Sequence, residues 1–309
     1  VPLSLFLNEL SCESDASPSE VDKAMECFVR TLKHLGGWQK VTLVTQSPLD
    51  PVELARGYVY QQWVSAHPRN RDRHRYILGL RDRHPSRHVL EQAGHDPDGI
   101  ECFHDGRLAI GIRAAYLTDS VAVSLPLIPK WEASWLDIEL YHYGEADVEH
   151  GPGRVRHCSA PEQADEHESW ARDTGLRSLS SPKELLASWD QFFPALERLP
   201  RFERDLQRLD VKWFRPVRDL LADLQSSAAD HWDLDRSPEP AWQNPHITPE
   251  SQSRQHLCTF LDLDGQRRAF SLHGRMTPGK GRLYFRLIPE RMTFRLAYVG
   301  LKPGSDRES

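Results

Sequence analysis

The residues best suited to chemistry lie near the end of this 309-residue chain, between Arg267 and Leu301, where His, Arg and Tyr recur on otherwise apolar strand-like runs. Alternation along a strand sends successive side chains to opposite faces. It places Ser271, His273 and Arg275 on one face of their run and Arg282, Tyr284 and Arg286 on one face of the next, with Arg295 and Tyr298 on the last. Where such faces converge, two arginines can hold a phosphate bidentately while a histidine or tyrosine exchanges a proton with an attacking ribose hydroxyl, the chemistry of a metal-independent ribonuclease. His273, Arg275, Arg282, Tyr284 and Arg286 are the candidate catalytic residues on this reading. The competing reading is that the charged faces are simply solvated and keep an edge sheet soluble.

A second cationic feature runs from Arg69 to His88, where seven Arg and three His fall within twenty residues. Clustered arginines neutralise phosphates and release counterions. Arg69, Arg71, Arg73, Arg75, Arg81, Arg83 and Arg87, together with Lys280 in a Pro-Gly-Lys-Gly loop, are therefore the candidate nucleic-acid contacts. The apolar interruption Tyr76-Ile77-Leu78 reads as a short buried strand. The alternative is a solvated surface run, or an intramolecular partner for the acidic stretch Glu162 to Glu168.

Other chemistries lack their spacing. His150, His157 and His167 lie near acids, but a helical zinc pair of the His-Glu-x-x-His type is missing, as is a Cys-x-x-Cys pair, so no metal ligand is assigned and no cofactor is expected. Gly-x-Ser-x-Gly, a Walker loop and Gly-x-Gly-x-x-Gly are also lacking. The five cysteines are scattered, which fits a reducing cytoplasm, and no run is long or apolar enough for a signal peptide or membrane span. Formal net charge is −6, so any attraction for a polyanion must come from a local patch.

The elements that must position these residues predict an α+β protein: an N-terminal mixed α/β region with an antiparallel meander, a helical middle and a C-terminal antiparallel β module. Residues 3–7 and 41–45 read as strands flanking a helix that starts at Ser17-Pro18-Ser19-Glu20 and stops at Gly36-Gly37. A second helix is expected from Asp50-Pro51 through Leu54, Tyr58 and Trp63. Strands are expected through Leu108, Ile110 and Ile112, after an Asp105-Gly106 turn, and through Val121, Val123 and Leu125, all in an antiparallel sheet. Helices follow at 161–173, 181–196, 201–209 and 211–229. The corresponding regions are 1–158, 159–234, a Pro-rich linker at 235–250 and the β module at 251–309.

One resemblance bears on the last region. Thr277-Pro278-Gly279-Lys280-Gly281-Arg282, Leu283-Tyr284-Phe285-Arg286, the turn Pro289-Glu290-Arg291 and the run Phe294 to Leu301 resemble the closing hairpin of RelE-type toxins, in which a basic loop leads into an Arg-bearing strand and a last strand ends in Val-Gly. The resemblance implies a small sheet that contacts or cleaves RNA, with Arg282, Tyr284 and Arg286 at the matching positions. Free-standing toxins of this kind are small basic domains with two helices packed on the sheet, whereas this chain carries a long region ahead of the hairpin. The tail is also similar to that of bacterial proteins from mobile or antiviral-defence loci. The expected function is that of a cytoplasmic RNA-binding or RNA-cleaving protein of a bacterial defence or toxin-like system. The alternative is a non-enzymatic subunit that binds a protein partner in a larger defence complex.

Overall fold

The computed structural model describes residues 2–81, 85–143, 148–244, 246–277 and 279–304. The chain divides into two compact units, Val1–Gly175 and Leu176–Ser309. The fold class is α+β.

In the first unit the order is β1 (Leu3–Leu7), α1 (Pro18–Trp38), β2 (Val41–Val44), β3 (Glu53–Ala55), β4 (Tyr58–Val59), α2 (Tyr60–Ala66), α3 (Pro68–Leu80), α4 (Ser86–Gln92), β5 (Ile100–His104), β6 (Arg107–Leu108), α5 (Ile110–Leu117), β7 (Val121–Val123), β8 (Trp135–Tyr143) and β9 (Val148–Cys158), followed by α6 (Pro161–Ala164) and α7 (Glu168–Ser178). Seven strands form one sheet in the order β2-β1-β7-β9-β8-β5-β6. The first four are mutually parallel and the rest antiparallel. α1 buries Val21, Met25, Phe28, Leu32 and Leu35 against one face of the sheet, where Leu5, Leu43 and Val121 lie. α5 covers the other face with Ile112, Ala114 and Ala115 against Phe6, Ala122 and Ile138.

α1 begins as its sequence predicts. The Glu20 N–H donates to the Ser17 hydroxyl, and the Glu20 carboxylate accepts from the Ser17 N–H at 2.8 Å, a capping box. It continues through Gly36-Gly37, because neither glycine takes a positive φ and burial of Trp38 holds the last turn. The helix expected from Pro51 is instead the β3/β4 hairpin, turned at Gly57 with φ 73° and tied down by the Arg56 N–H to Ser14 carbonyl bond of 2.8 Å; α2 begins only at Tyr60. Asp105 and Gly106, at φ 51° and 71°, make the anticipated hairpin turn. The strand expected at 108–112 becomes α5. Its first N–H groups, of Ile110 and Gly111, donate to the Glu9 carboxylate at 2.5 and 2.9 Å, a cap supplied from far upstream in the chain. α5 is therefore a crossover, and β7 runs parallel to β1 rather than joining a meander. Tyr76-Ile77-Leu78 is likewise helical, inside α3, with Ile77 buried.

The second unit contains α8 (Pro182–Ala187), α9 (Trp189–Phe192), β10 (Leu196–Arg198), α10 (Pro200–Gln207), α11 (Phe214–Ala229), β11 (Ile247–Pro249), β12 (Thr259–Leu261), β13 (Arg267–Ala269), β14 (Leu272–Met276), β15 (Gly281–Ile288) and β16 (Thr293–Leu301). Its main sheet has the order β10-β16-β15-β14-β11, with β10 parallel to β16 and the rest antiparallel. β10 falls where the helix expected at 181–196 ends. The Pro-rich segment 235–250 lies within this unit: β11 pairs with β14, and Trp242 packs on Phe285 and Phe294. α11 lays Val217, Leu220, Leu221 and Leu224 on the face carrying Leu283, Phe285 and Phe294.

Two glycines separate packing from propensity. A Cβ on Gly111 would lie 2.0 Å from the Leu7 carbonyl oxygen, whereas one on Gly37 meets nothing within 4 Å. Gly111→Ala is expected to destabilise the protein by about 1–3 kcal/mol, and Gly37→Ala to stabilise it by roughly 0.4–1 kcal/mol, both read as shifts of the urea midpoint.

Candidate nucleic-acid interface

The ladder β14-β15-β16 brings the predicted residues of the C-terminal run onto one sheet face. His273 stands opposite Tyr284, Arg275 opposite Arg282, and Arg286 opposite Arg295. Their neighbours Met276, Leu283 and Phe285 point the other way, into the core under the helices. A register shift between Tyr284 and Phe285 makes Tyr298, three residues beyond Arg295, share this face, because an extra residue reverses the alternation.

The face is partly covered by residues the sequence did not single out. β12 and β13 form a hairpin whose Phe260, with Phe270 beyond it, packs on Tyr284 and Ala297. Tyr284 is only 1% exposed, and its hydroxyl donates to Glu250 Oε2 at 2.7 Å. Burial and the facing Glu250 carboxylate push its phenol pKa well up. Arg286 donates Nε and Nη2 to Asp262 Oδ2 at 3.0 and 2.6 Å. Arg295 reaches Asp262 Oδ1 at 2.7 Å and Glu197 Oε2 at 2.7 and 2.8 Å, and Arg291 closes on Glu197 at 2.9 Å. The Asp262 side chain has no exposed surface. Burial works to raise its pKa, but the Leu263 N–H and the Arg295 and Arg286 guanidiniums outweigh that and hold it below the usual carboxylate range.

At the other end of the ladder Arg275 and Arg282 have no such partner. Among the described residues neither Arg275 nor Arg282 meets a carboxylate within 4 Å. Arg275 is exposed. Arg282 donates Nη1 to the Gly281 carbonyl at 2.7 Å, while its buried Nε–H has no acceptor. Burial and the facing Arg275 lower the Arg282 pKa. His273 is 5% exposed; its Nε2 lies 3.4 Å from the Thr248 hydroxyl, and its buried Nδ1 has no partner. Burial holds the imidazole pKa down to about 4, so the ring is neutral at pH 7. In the tautomer whose Nε2 accepts from Thr248, Nδ1 carries the proton and offers a donor to an anion. Lys280 is exposed in the turn entering β15, where its carbonyl accepts from the Lys302 N–H.

Of the other predicted contacts, Arg69, Arg71, Arg73, Arg75 and Arg87 lie in the first unit on two helices. On α3, Arg69 pairs with Asp22 at 2.6 Å, Arg73 with Asp22 and Glu26 at 3.4 and 2.5 Å, and Arg75 with Asp72 at 2.8 Å, while Arg71 is exposed. Their partners are acids of α1 and of α3 itself rather than the stretch at 162–168. Arg81, just past α3, bridges Leu43, and its Nε is buried without an acceptor. Arg87 on α4 pairs with Glu91 and Asp98. Arg83 lies outside the described residues. Much of the positive charge of this run is thus locally compensated.

Glu250 and Asp262 are the site residues that sequence reading missed. The signal for Asp262 was present in part: alternation turns Arg286 and Arg295 toward a face that also carries Tyr284, and a buried guanidinium requires a carboxylate. Among the described residues no group of three or more His, Cys, Asp or Glu side chains is placed to hold a metal ion.

Asp262→Asn leaves Arg286 without its carboxylate and Arg295 with Glu197 alone, and is expected to cost about 3–5 kcal/mol at pH 7, measured by urea unfolding. Its folded-state pKa is depressed, so its contribution is complete above the unfolded value of about 4 and is lost as pH falls through the folded value. The gap between wild type and Asp262→Asn should therefore narrow in titrations repeated at about pH 3.

No family model, curated protein or solved structure matches this chain. Its functional reading rests on the geometry of this sheet face.

Proposed function

We propose that the C-terminal sheet binds the phosphodiester backbone of RNA at its Arg275–Arg282 end. The observation that carries this is the cross-strand pair of arginines without a carboxylate, beside an imidazole nitrogen and a guanidinium N–H that are buried without partners. Like charges directly opposite each other destabilise a ladder, and buried unpaired donors add a further cost. One phosphate oxygen cluster answers both: it neutralises the pair and accepts from His273 Nδ1 and Arg282 Nε. RNA is favoured over DNA by the RelE-type hairpin likeness, together with the two helices α10 and α11 that precede the meander and pack on its sheet.

Contact is better supported than cleavage. Tyr284 has its hydroxyl donated to Glu250, and Arg286 is held by Asp262, so two of the five predicted catalytic groups are engaged inside the protein. Among the described residues no helix is long and apolar enough to cross a membrane. We place the protein in the cytoplasm of a bacterial defence or toxin-like system, a reading supported by cysteines that are all unpaired.

Fluorescence anisotropy with a single-stranded RNA across a salt series tests this. The Arg275→Ala/Arg282→Ala double variant should bind more weakly and flatten the log–log salt slope by about 0.7, one phosphate contact's worth. Arg71→Ala should leave both unchanged. Because a bound phosphate favours the imidazolium form of His273, wild-type affinity should rise as pH is lowered from 7 toward 5. An unchanged affinity and slope in the double variant would remove the proposal and leave the protein-partner reading in its place.

A further inference from the structure

A crevice of about 500 Å³ opens at the carboxyl ends of β1 and β2 in the first unit. In open sheets ligands bind outside the carboxyl ends of parallel strands, at the point where successive connections leave in opposite directions. β1 is that point here. The chain leaves it through α1 to β2 on one side, and the later parallel strand β7 lies on its other side. Helices α1 and α5 cover opposite sheet faces. The volume falls within the range of small-molecule sites.

The lining decides what kind of molecule fits. The N-terminus of α5, the place where a doubly wound sheet of this kind would hold a phosphate, is already filled by the Glu9 carboxylate, bound to the Ile110 and Gly111 N–H groups. Both guanidiniums on the crevice wall are neutralised within the unit: Arg107 pairs with Glu13, and Arg56 with Asp15 at 2.8 Å. Glu53, an exposed lining residue, makes no ion pair among the described residues. Leu7 and Val52 supply an apolar wall. The crevice thus holds its two guanidiniums in ion pairs and offers a carboxylate without an ion-pair partner on a wall that also carries Leu7 and Val52.

We propose that this crevice binds a small organic cation with an alkyl stem, an alkylammonium or alkylguanidinium compound, its charged head at Glu53 and its stem along Leu7 and Val52. The site is independent of the RNA contact proposed for the C-terminal sheet. Isothermal titration calorimetry of the full chain with agmatine as the probe tests it. Saturable one-to-one binding is expected, weakened about tenfold or more in Glu53→Gln and unchanged in Glu139→Gln, which removes an exposed carboxylate on β8. Adenosine monophosphate should give no binding. The proposal is overturned if agmatine gives no saturable heat with wild type, if Glu139→Gln weakens binding as much as Glu53→Gln, or if the nucleotide binds more tightly than agmatine. Matching circular dichroism spectra of the variants tie any loss to the crevice rather than to unfolding.

Discussion

The buried carboxylate of Asp262 is the constraint on which the C-terminal sheet turns. It is fully shielded, yet it accepts from Arg286 on one oxygen and from Arg295 on the other, and Arg295 passes on to Glu197. Desolvating a carboxylate is costly unless its lone pairs are filled by well-aligned donors, and here they are. The network joins three segments far apart in the chain: β10, the β12–β13 hairpin and the central strands. Its effect on function is to divide the cations of the ribbon. Those near Asp262 are engaged in holding the sheet together, whereas Arg275 and Arg282, at the opposite end of β14 and β15, meet no carboxylate among the described residues.

The first unit solves a similar problem with different groups. A short helix between two strands leaves its first N–H groups unsatisfied; Glu9, at the end of β1, reaches across to accept two of them. Asn8, next to it, donates to Ser124 at 2.9 Å, and the Ser124 hydroxyl lies 2.6 Å from His157 Nε2, whose Nδ1 lies 2.6 Å from the Ala133 carbonyl. Asn8, Ser124 and His157 are all fully buried. Burial lowers the His157 pKa to about 4, which keeps the ring neutral and lets its Nε2 accept from the serine. The carboxyl ends of β1, β7 and β9 are thereby locked in register by side-chain hydrogen bonds, leaving the adjoining end of β2 to open into a crevice.

What was legible in the sequence follows the range of the interactions involved. Local signals gave the helix start at Ser17, the Asp105-Gly106 turn and the alternation of β14 and β15, because each depends on residues within a few positions of one another. The misreadings had long-range causes. Ile110 and Ile112 alternate like a strand, but a cap from Glu9 and the close approach allowed by Gly111 make that segment α5. Pro51 looks like a helix start, but the bond from the Arg56 N–H to Ser14 draws the segment into a hairpin. The cationic residues of the last strands were identifiable; which of them would be neutralised was not, since Glu250 and Asp262 come from segments whose local patterns do not show which cations they face.

The opposition of Arg275 and Arg282 is better understood against this background than as a surface accident. Elsewhere along the same ladder the fold supplies a carboxylate to every inward guanidinium: Arg286 and Arg295 share one, and Arg295 takes a second. Glu250 is close enough to influence His273 and Arg282, yet its carboxylate accepts from the Tyr284 hydroxyl, and neither His273 Nδ1 nor Arg282 Nε finds a partner. A sheet that pairs the guanidiniums at one end of its ladder, and leaves two buried nitrogens unpartnered beside a repelling pair of cations at the other, carries a local instability that an anion would relieve. The same groups that weaken the isolated sheet are therefore the ones through which binding would stabilise it.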